Sequence, residues 1–493
     1  MRRDGMERQD LSPDGGNLMF ERLDTARTLT GNQIKIIAAA IIGDMLEFFD
    51  YFLIGFVLAF IIKPWGLTFG QSAIILLSSG VGAILGAFIW GRIADVVGRR
   101  RVFVGTVVNF SIATGILAFT PEHGWIFLSV FRFFVGFGVG GLYCVDLPLV
   151  QEFVPTRMRG FIGGLVTVFI PLGVMIASAL GAFLAPEIGW RGLFVIGLAP
   201  ALFTLVIRAW VPESPHWLMS QGRGEEARRS LAWALQVPPQ DLPAPTVSES
   251  EAQPPTRWTD LFKYPRSIAV SWMAWIGAQT AGYGIGLWGP TLFVMQLGVT
   301  PATAAGMFIW ITAAGIVGRI TFSMLNELIG RRAAGMLVGF GGAIFVAAAG
   351  IFHNVVVGGI SLFWLFIVLG DFFYDGGSAV IGPYSAEVWP TRLRTTGMGS
   401  AYGFGGLGKI IGPLGLALIV GSSNVVKPDV TVAAIPASFL FLAGWLVICG
   451  LGFMLFGFET RRRSIAALDE GYADVAAGSE VGATIGVASG VRK

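Results

Sequence analysis

Nine charged side chains sit more than three residues inside the ends of long apolar runs of this 493-residue chain. Hydrocarbon charges each of them several kcal/mol unless it finds a partner or a task. Asp44, Glu47 and Asp50 fall in the first run, Arg132 and Asp146 in the fourth, and Arg319 in the eighth. Asp371 and Asp375 fall in the tenth, and Lys409 in the eleventh. Six acids against three bases means that some carboxylates must be protonated, paired with a bound solute or open to water. Glu47 and Asp50 are three residues apart and share a helix face. Acids that close tend to share a proton, which suits proton carriage. Asp44 lies nearer the end of the run where the chain begins and reads as an entry relay. Asp146 reads equally well as a satisfied polar group.

Depth suggests which groups meet. At about 1.5 Å per helical residue, Asp50 lies ~24 Å and Arg132 ~32 Å from the ends of their runs on the membrane side that carries both chain termini. Two long side chains on adjoining helices close that gap. A guanidinium there would hold the Asp50 charge in place until a rearrangement frees the carboxylate to take a proton. A static ion pair is the alternative. Asp375 and Lys409 both lie ~20 Å deep. Lys409 is placed either to hold a solute carboxylate or to neutralise Asp375.

The elements that must position these groups are membrane spans. The chain is 54% hydrophobic, 13% charged and has a mean hydropathy of +0.70, which excludes a soluble globule. Runs long enough to cross a bilayer fall at Ile34–Ile62, Ser72–Ala94, Val102–Phe119, Trp125–Phe153, Phe161–Leu184 and Gly192–Val211. A second set falls at Ile268–Met295, Thr303–Leu325, Ala333–Ile351, Ser361–Val388, Thr396–Val420 and Val432–Phe458. Both Cys144 and Cys449 lie inside such runs, against a disulfide framework. Residues 1–33 carry no cleavable signal.

The two sets are copies. EFVPTRMRG at Glu152–Gly160 returns as EVWPTRLRTTG at Glu387–Gly397, 235 residues later. Asp95, Gly98, Arg99 and Arg100 return as Glu327, Gly330, Arg331 and Arg332 at an offset of 232. A duplicated membrane half is how alternating-access carriers are commonly built. Ten Lys and Arg residues in the loops of one side (among them Arg92, Arg157 and Arg392) face three on the other, Lys63, Arg191 and Lys427. That bias predicts both termini in the cytoplasm, in a multi-pass cytoplasmic (inner) membrane protein. The division expected is a polar tail at 1–33, a six-helix bundle at 34–211 and a linker at 212–266. A second six-helix bundle at 267–458 and a tail at 459–493 complete it. Within the linker, Arg223–Gln236 predicts a short amphipathic helix, followed by a flexible stretch marked by Pro238, Pro239, Pro243, Pro245, Pro254 and Pro255.

GRIADVVGRRR at Gly91–Arg101 resembles the signature loop of the major facilitator superfamily. PESPHWL at Pro212–Leu218 resembles the sugar-porter motif, with His216 where Arg is usual. Arg132 with Gly136, Gly138, Gly140 and Gly141 resembles that group's fourth helix, and Glu459, Thr460, Arg463, Ser464 and Ile465 its C-terminal signature. The resemblance spans about residues 34–470. It implies an all-α membrane protein with twelve transmembrane helices in two pseudo-symmetric bundles. It implies that Asp95, Arg99, Glu152 and Arg159, with Glu327, Arg331, Glu387 and Arg394, form charge networks that gate the cytoplasmic side. Some of these arginines serve topology alone. Asp50 in EFFDYFLIG and Arg132 match the proton-site pair of proton-coupled sugar porters. The Glu47/Asp50 spacing and a basic residue at Lys409 resemble niacin and aromatic-acid carriers.

The seventh run offers Trp272, Trp275, Gln279, Tyr283 and Trp288 among five glycines. Gln279 and Tyr283 share a face, and Tyr374 and Tyr402 are weaker cavity candidates. Aromatic lining suits a flat, partly apolar solute, although Trp272 and Trp288 equally suit a lipid interface. The expected function is proton-coupled import of a small organic acid by a monomer, whose partners are its solute, protons and the bilayer. A sugar, a polyol or an organic cation is the alternative solute, and a non-transporting sensor of the same fold the alternative class. His123, His216 and His353 lie in loops, so no triad, metal site, cofactor or nucleic-acid surface is expected.

Overall fold

A computed structural model describes residues 18–243, 258–390 and 393–461. Arg392, Pro245, Pro254, Pro255 and Arg463–Ile465 lie outside the described residues. Spans 1, 2 and 3 are Gly31–Trp65, Phe69–Val97 and Arg99–Leu117. Span 4 runs Trp125–Tyr143 and Asp146–Phe153. Spans 5 and 6 form one helical stretch, Thr156–Ile207, that turns back at Gly189 (φ 71). Spans 7, 8 and 9 are Pro265–Leu297, Pro301–Ile329 and Arg331–Ile351. Span 10 joins Leu362–Tyr374 to Ser378–Glu387, span 11 joins Arg394–Gly405 to Gly408–Val420, and span 12 is Pro428–Leu451 with a wider turn to Phe456. The twelve expected helices are present, and most exceed the apolar runs by about a turn because capped polar residues continue them. Span 1, for example, starts at a capping box in which Thr30 and Gln33 satisfy each other's backbone N–H.

Packing is that of two six-helix bundles. Spans 2 and 4, 3 and 4, and 3 and 6 pack within the first, and spans 8 and 10, 9 and 10, and 9 and 12 within the second. Span 2 meets span 4 so closely that a Cβ at Gly82 would strike the Phe133 carbonyl, and one at Gly140 the Ala83 carbonyl. Between bundles, span 1 packs on span 7, span 2 on span 11 and span 5 on span 8. At the end away from the arginine-rich loops, backbone bonds join the halves. Val426 N–H donates to the Leu67 carbonyl (2.9 Å), Phe69 N–H to Asn424 (2.9 Å) and Gly70 N–H to Ser422 (2.8 Å).

The arginine-rich end is layered differently. Helix Gly224–Leu235 forms where an amphipathic helix was expected, burying Ala227, Leu231 and Leu235. The N-terminal polar tail supplies helix Leu18–Thr25, whose Met19 and Leu23 fill that apolar face. Asn32 Nδ2 donates to the Trp233 carbonyl (2.8 Å), tying this layer to span 1.

Candidate functional site

Three of the charged residues singled out above stand at breaks in their helices. Span 4 is interrupted at Cys144–Val145 beside Asp146, span 10 at Asp375–Gly377, and span 11 at Gly406–Leu407 beside Lys409. Broken spans are tolerated at membrane depth only where the freed backbone is buried in protein or lines a cavity.

A cavity of about 290 Å³ lies between the halves. It runs from Phe52, Gly286 and Phe308 in the middle to Arg159, Ala386 and Met398 toward the arginine-rich end. Gln279, Tyr283, Tyr374 and Asp375, four of the five residues expected to meet solute, line it. So do Trp275 and Tyr402.

Asp375 does not pair with Lys409, as equal depth had suggested. Arg319 of span 8 grips its carboxylate with two bonds, Nε to Oδ2 at 2.8 Å and Nη2 to Oδ1 at 2.7 Å. The third arm of Arg319 donates to the Thr167 carbonyl of span 5 in the opposite bundle. Asp371 also lines the cavity on the same helix. Arg319 and Asp371 were visible as lone charges in apolar runs, but sequence alone did not say that they face the solute.

Lys409 lies behind the cavity wall, 95% buried. Its Nζ is 5.4 Å from the Tyr51 ring centre, 5.2 Å from that of Tyr283 and 5.7 Å from that of Tyr402. Glu47, one turn before Tyr51, faces this ammonium, and its Oε2 has no hydrogen-bond partner.

Asp50 and Arg132 are both fully buried, yet their charged groups do not form the expected side-chain pair. Arg132 Nη1 donates to the Asp50 carbonyl (3.0 Å) and Nη2 to the Tyr51 carbonyl (2.7 Å). The Asp50 carboxylate takes the Thr114 hydroxyl instead, at 2.7 and 2.6 Å. Glu47 and Asp50 therefore diverge, one toward span 11 and the other toward span 3. Asp44 meets Asp146 carboxyl to carboxyl, each with one buried oxygen unpartnered.

The repeated loops build matching networks. Arg99 pairs with Glu152, which also accepts from the Ser214 hydroxyl. Arg331 pairs with Glu387 (3.3 Å) and Glu327 (2.8 Å), and Glu387 accepts from the Thr460 hydroxyl. Gly98 (φ 102) and Gly330 (φ 92) open each loop for a carboxylate. Glu213 takes the Arg100 N–H (3.0 Å), and Glu459 the Arg331 N–H (3.0 Å), each at a helix N-terminus. Arg394 Nε donates to the Ala386 carbonyl (3.2 Å). Two expected members stand apart: Asp95 is exposed and forms no ion pair with Arg99, and Arg159 faces the cavity with its Nε unpartnered.

Comparisons with known proteins agree with this architecture. The model of a family described as "Sugar (and other) transporter" matches residues 35–472. The niacin transporter NiaP of Acinetobacter baylyi is 32% identical over 383 residues, covering 76% of this chain and 84% of that one. The cis,cis-muconate transport protein of the same organism is 27% identical over 348 residues, covering 70% and 77%. The xylose transporter XylE from E. coli, in a partially occluded inward-open conformation, superposes with a TM-score of 0.68. It is 18% identical, over 88% of this chain and 100% of that one.

Proposed function

Because this chain belongs to the sugar (and other) transporter family of the major facilitator superfamily, we propose that it imports a small organic acid, aromatic in character, together with protons. The observation that carries this reading is the aromatic cavity between the bundles, with two cations in its wall, Arg319 near the middle and Arg159 toward the arginine-rich end. A flat ring finds stacking surfaces in Trp275, Tyr283 and Tyr374, and a carboxylate finds a guanidinium fork. Two relatives named above carry niacin and muconate, both organic acids, which supports the same class.

In this reading the halves 34–211 and 267–458 rock as bodies about the cavity. The chain works as a monomer in the cytoplasmic membrane with both termini inside. The arginine-rich networks around Arg99–Glu152 and Arg331–Glu387 gate the cytoplasmic mouth. Asp50, held by Thr114, and the buried acids Asp44 and Glu47 carry protons, with Arg132 and Lys409 as the cations that bias them. An organic cation is the second reading, favoured by Asp371, a cavity carboxylate with no ion pair among the described residues.

Proteoliposome uptake under an imposed inward proton gradient tests the proposal with nicotinate, benzoate, cis,cis-muconate, xylose and carnitine. Gradient-driven accumulation of one or more acids is expected. Accumulation of xylose or carnitine alone rejects the organic-acid reading.

A further inference from the structure

Resting on the organic-acid reading, we propose that Arg319 is the receptor for the solute's carboxylate, and that Asp375 is a resident carboxylate that occupies it until solute arrives. Arg319 already holds a carboxylate in the two-bond geometry that a solute acid would adopt. Lys409, the other cation of the second bundle, is screened from the cavity by Tyr283 and Tyr402. Asp375 can leave: it caps the first half of span 10 at the break, and a quarter of its side chain is exposed.

The exchange must conserve charge. Two carboxylates cannot share one guanidinium while Asp371 stands a turn away on the same wall. The groups that line the cavity with Asp375 are Arg319 from span 8, Asp371 and Tyr374 from span 10 and Thr167 from span 5, with Arg159 of span 5 toward the arginine-rich end. Gln279 and Tyr283 complete the wall from span 7. A second anion therefore enters only as Asp375 takes a proton. That proton comes from cavity water, breaks the two Arg319–Asp375 bonds, and leaves Asp375 neutral as the solute carboxylate forms the same two bonds. One proton enters with each carboxylate, and the net charge of the site is unchanged. The same guanidinium also ties span 8 to the Thr167 carbonyl of the opposite bundle, so turning it toward solute releases a contact between the halves.

Equilibrium binding of nicotinate and of its neutral isostere nicotinamide to the purified full-length protein in detergent, from pH 5.5 to 8, tests this. Wild-type affinity for nicotinate should fall as pH rises, by about tenfold per unit for one proton taken up with each anion. Asp375→Asn should bind nicotinate with no such slope and, at pH 8, more tightly than the wild type. Arg319→Gln should weaken nicotinate at least tenfold and spare nicotinamide, which also reports an intact cavity, with Arg319→Lys in between. A slope that persists in Asp375→Asn, or nicotinate affinity unchanged in Arg319→Gln, overturns the inference and leaves the organic-acid reading standing. A wild type that binds neither nicotinate nor benzoate overturns both.

Discussion

Arg132 holds the backbone of Asp50, not its carboxylate: Nη1 meets the Asp50 carbonyl at 3.0 Å while the carboxylate turns to Thr114. Two carbonyls in the middle of span 1 thus take a cationic donor from span 4, and the carboxylate remains free of a direct ion pair. Both carbonyls keep their helical partners within span 1, so removing the arginine costs two charge-assisted bonds, at about 1.5–3 kcal/mol each. Arg132→Leu should therefore lower thermal stability by several degrees, as well as impairing uptake. Arg132→Lys should recover little, since an ammonium cannot bridge two carbonyls in the same fork.

Asp50→Asn separates the proton role from the structural one. The amide oxygen still accepts from Thr114, so folding and solute exchange should persist. Accumulation against a gradient should fall by about tenfold or more, keeping only what the proton on Asp375 drives, while counterflow stays within about twofold of wild type, with RT ln 2 well under 1 kcal/mol. Loss of counterflow together with accumulation would make Asp50 a structural group and move proton coupling elsewhere.

The seal at the far end depends on close approach. A Cβ at Gly55 of span 1 would lie 2.8 Å from the Leu287 carbonyl of span 7, and one at Gly70 2.9 Å from that of Ser422. Both contacts are backbone and cannot yield cheaply. Gly55→Leu should hold the far ends apart and reduce uptake below about a tenth of wild type, a shift of more than about 1.4 kcal/mol in the closing equilibrium. Maleimide labelling of a cysteine introduced at Phe52 should then rise from the far side. Normal uptake with unchanged labelling would show that the seam is not a gate.

Much of this architecture was legible in the chain, and the reason for the rest is geometric. The repeats and the span positions follow from motif spacing, and the family resemblance grouped Arg99 with Glu152 and Arg331 with Glu387, which pair in the structure. Depth along a helix was legible as well, at about 1.5 Å per residue. Azimuth was not: successive residues point about 100° apart, so Asp375 and Lys409 share a level yet face different neighbours. Nor does sequence tell a side-chain partner from a backbone one, which is why Arg132 was assigned to the wrong oxygen of Asp50. The helix Leu18–Thr25 went unseen because eight residues carry little periodicity, and only Leu231 and Leu235 opposite give Met19 and Leu23 a place.

His216, where the related motif has Arg, gives the arginine-rich end a pH response. Its ring stacks on Phe20 of the N-terminal helix (4.1 Å, interplanar 5°), and burial pushes its pKa below the usual imidazole value. Glu152 opposes that shift, while Arg159 and Arg99 reinforce it. The undocked state thus binds more protons, so docking of Leu18–Thr25 is strongest above the free imidazole value and weakens as pH falls through it, about 6.5. Hydrogen exchange in residues 18–25 should accelerate relative to the rest of the chain between pH 7.5 and 5.5, after correction for intrinsic rates. His216→Phe should abolish that extra acceleration.

Lys409 ties the halves together through rings. Tyr283 and Tyr402 belong to the second bundle, but Tyr51 belongs to the first, and its ring centre lies 5.4 Å from the ammonium. Opening the far end draws span 11 from span 2 and span 7 from span 1, which removes Tyr51 and Glu47 from Lys409 together. A buried cation–π contact contributes about 1–2 kcal/mol, so Tyr51→Leu should shift the balance toward the far-open state about fivefold to thirtyfold. Fluorescence transfer between labels on the loops after spans 1 and 7 reads that shift. On the proposal that solute meets Arg319 and not Lys409, nicotinate affinity measured in a state-locked background should change less than twofold in Lys409→Met. A tenfold loss there would return Lys409 to the solute site and make the tyrosine cage part of the binding surface.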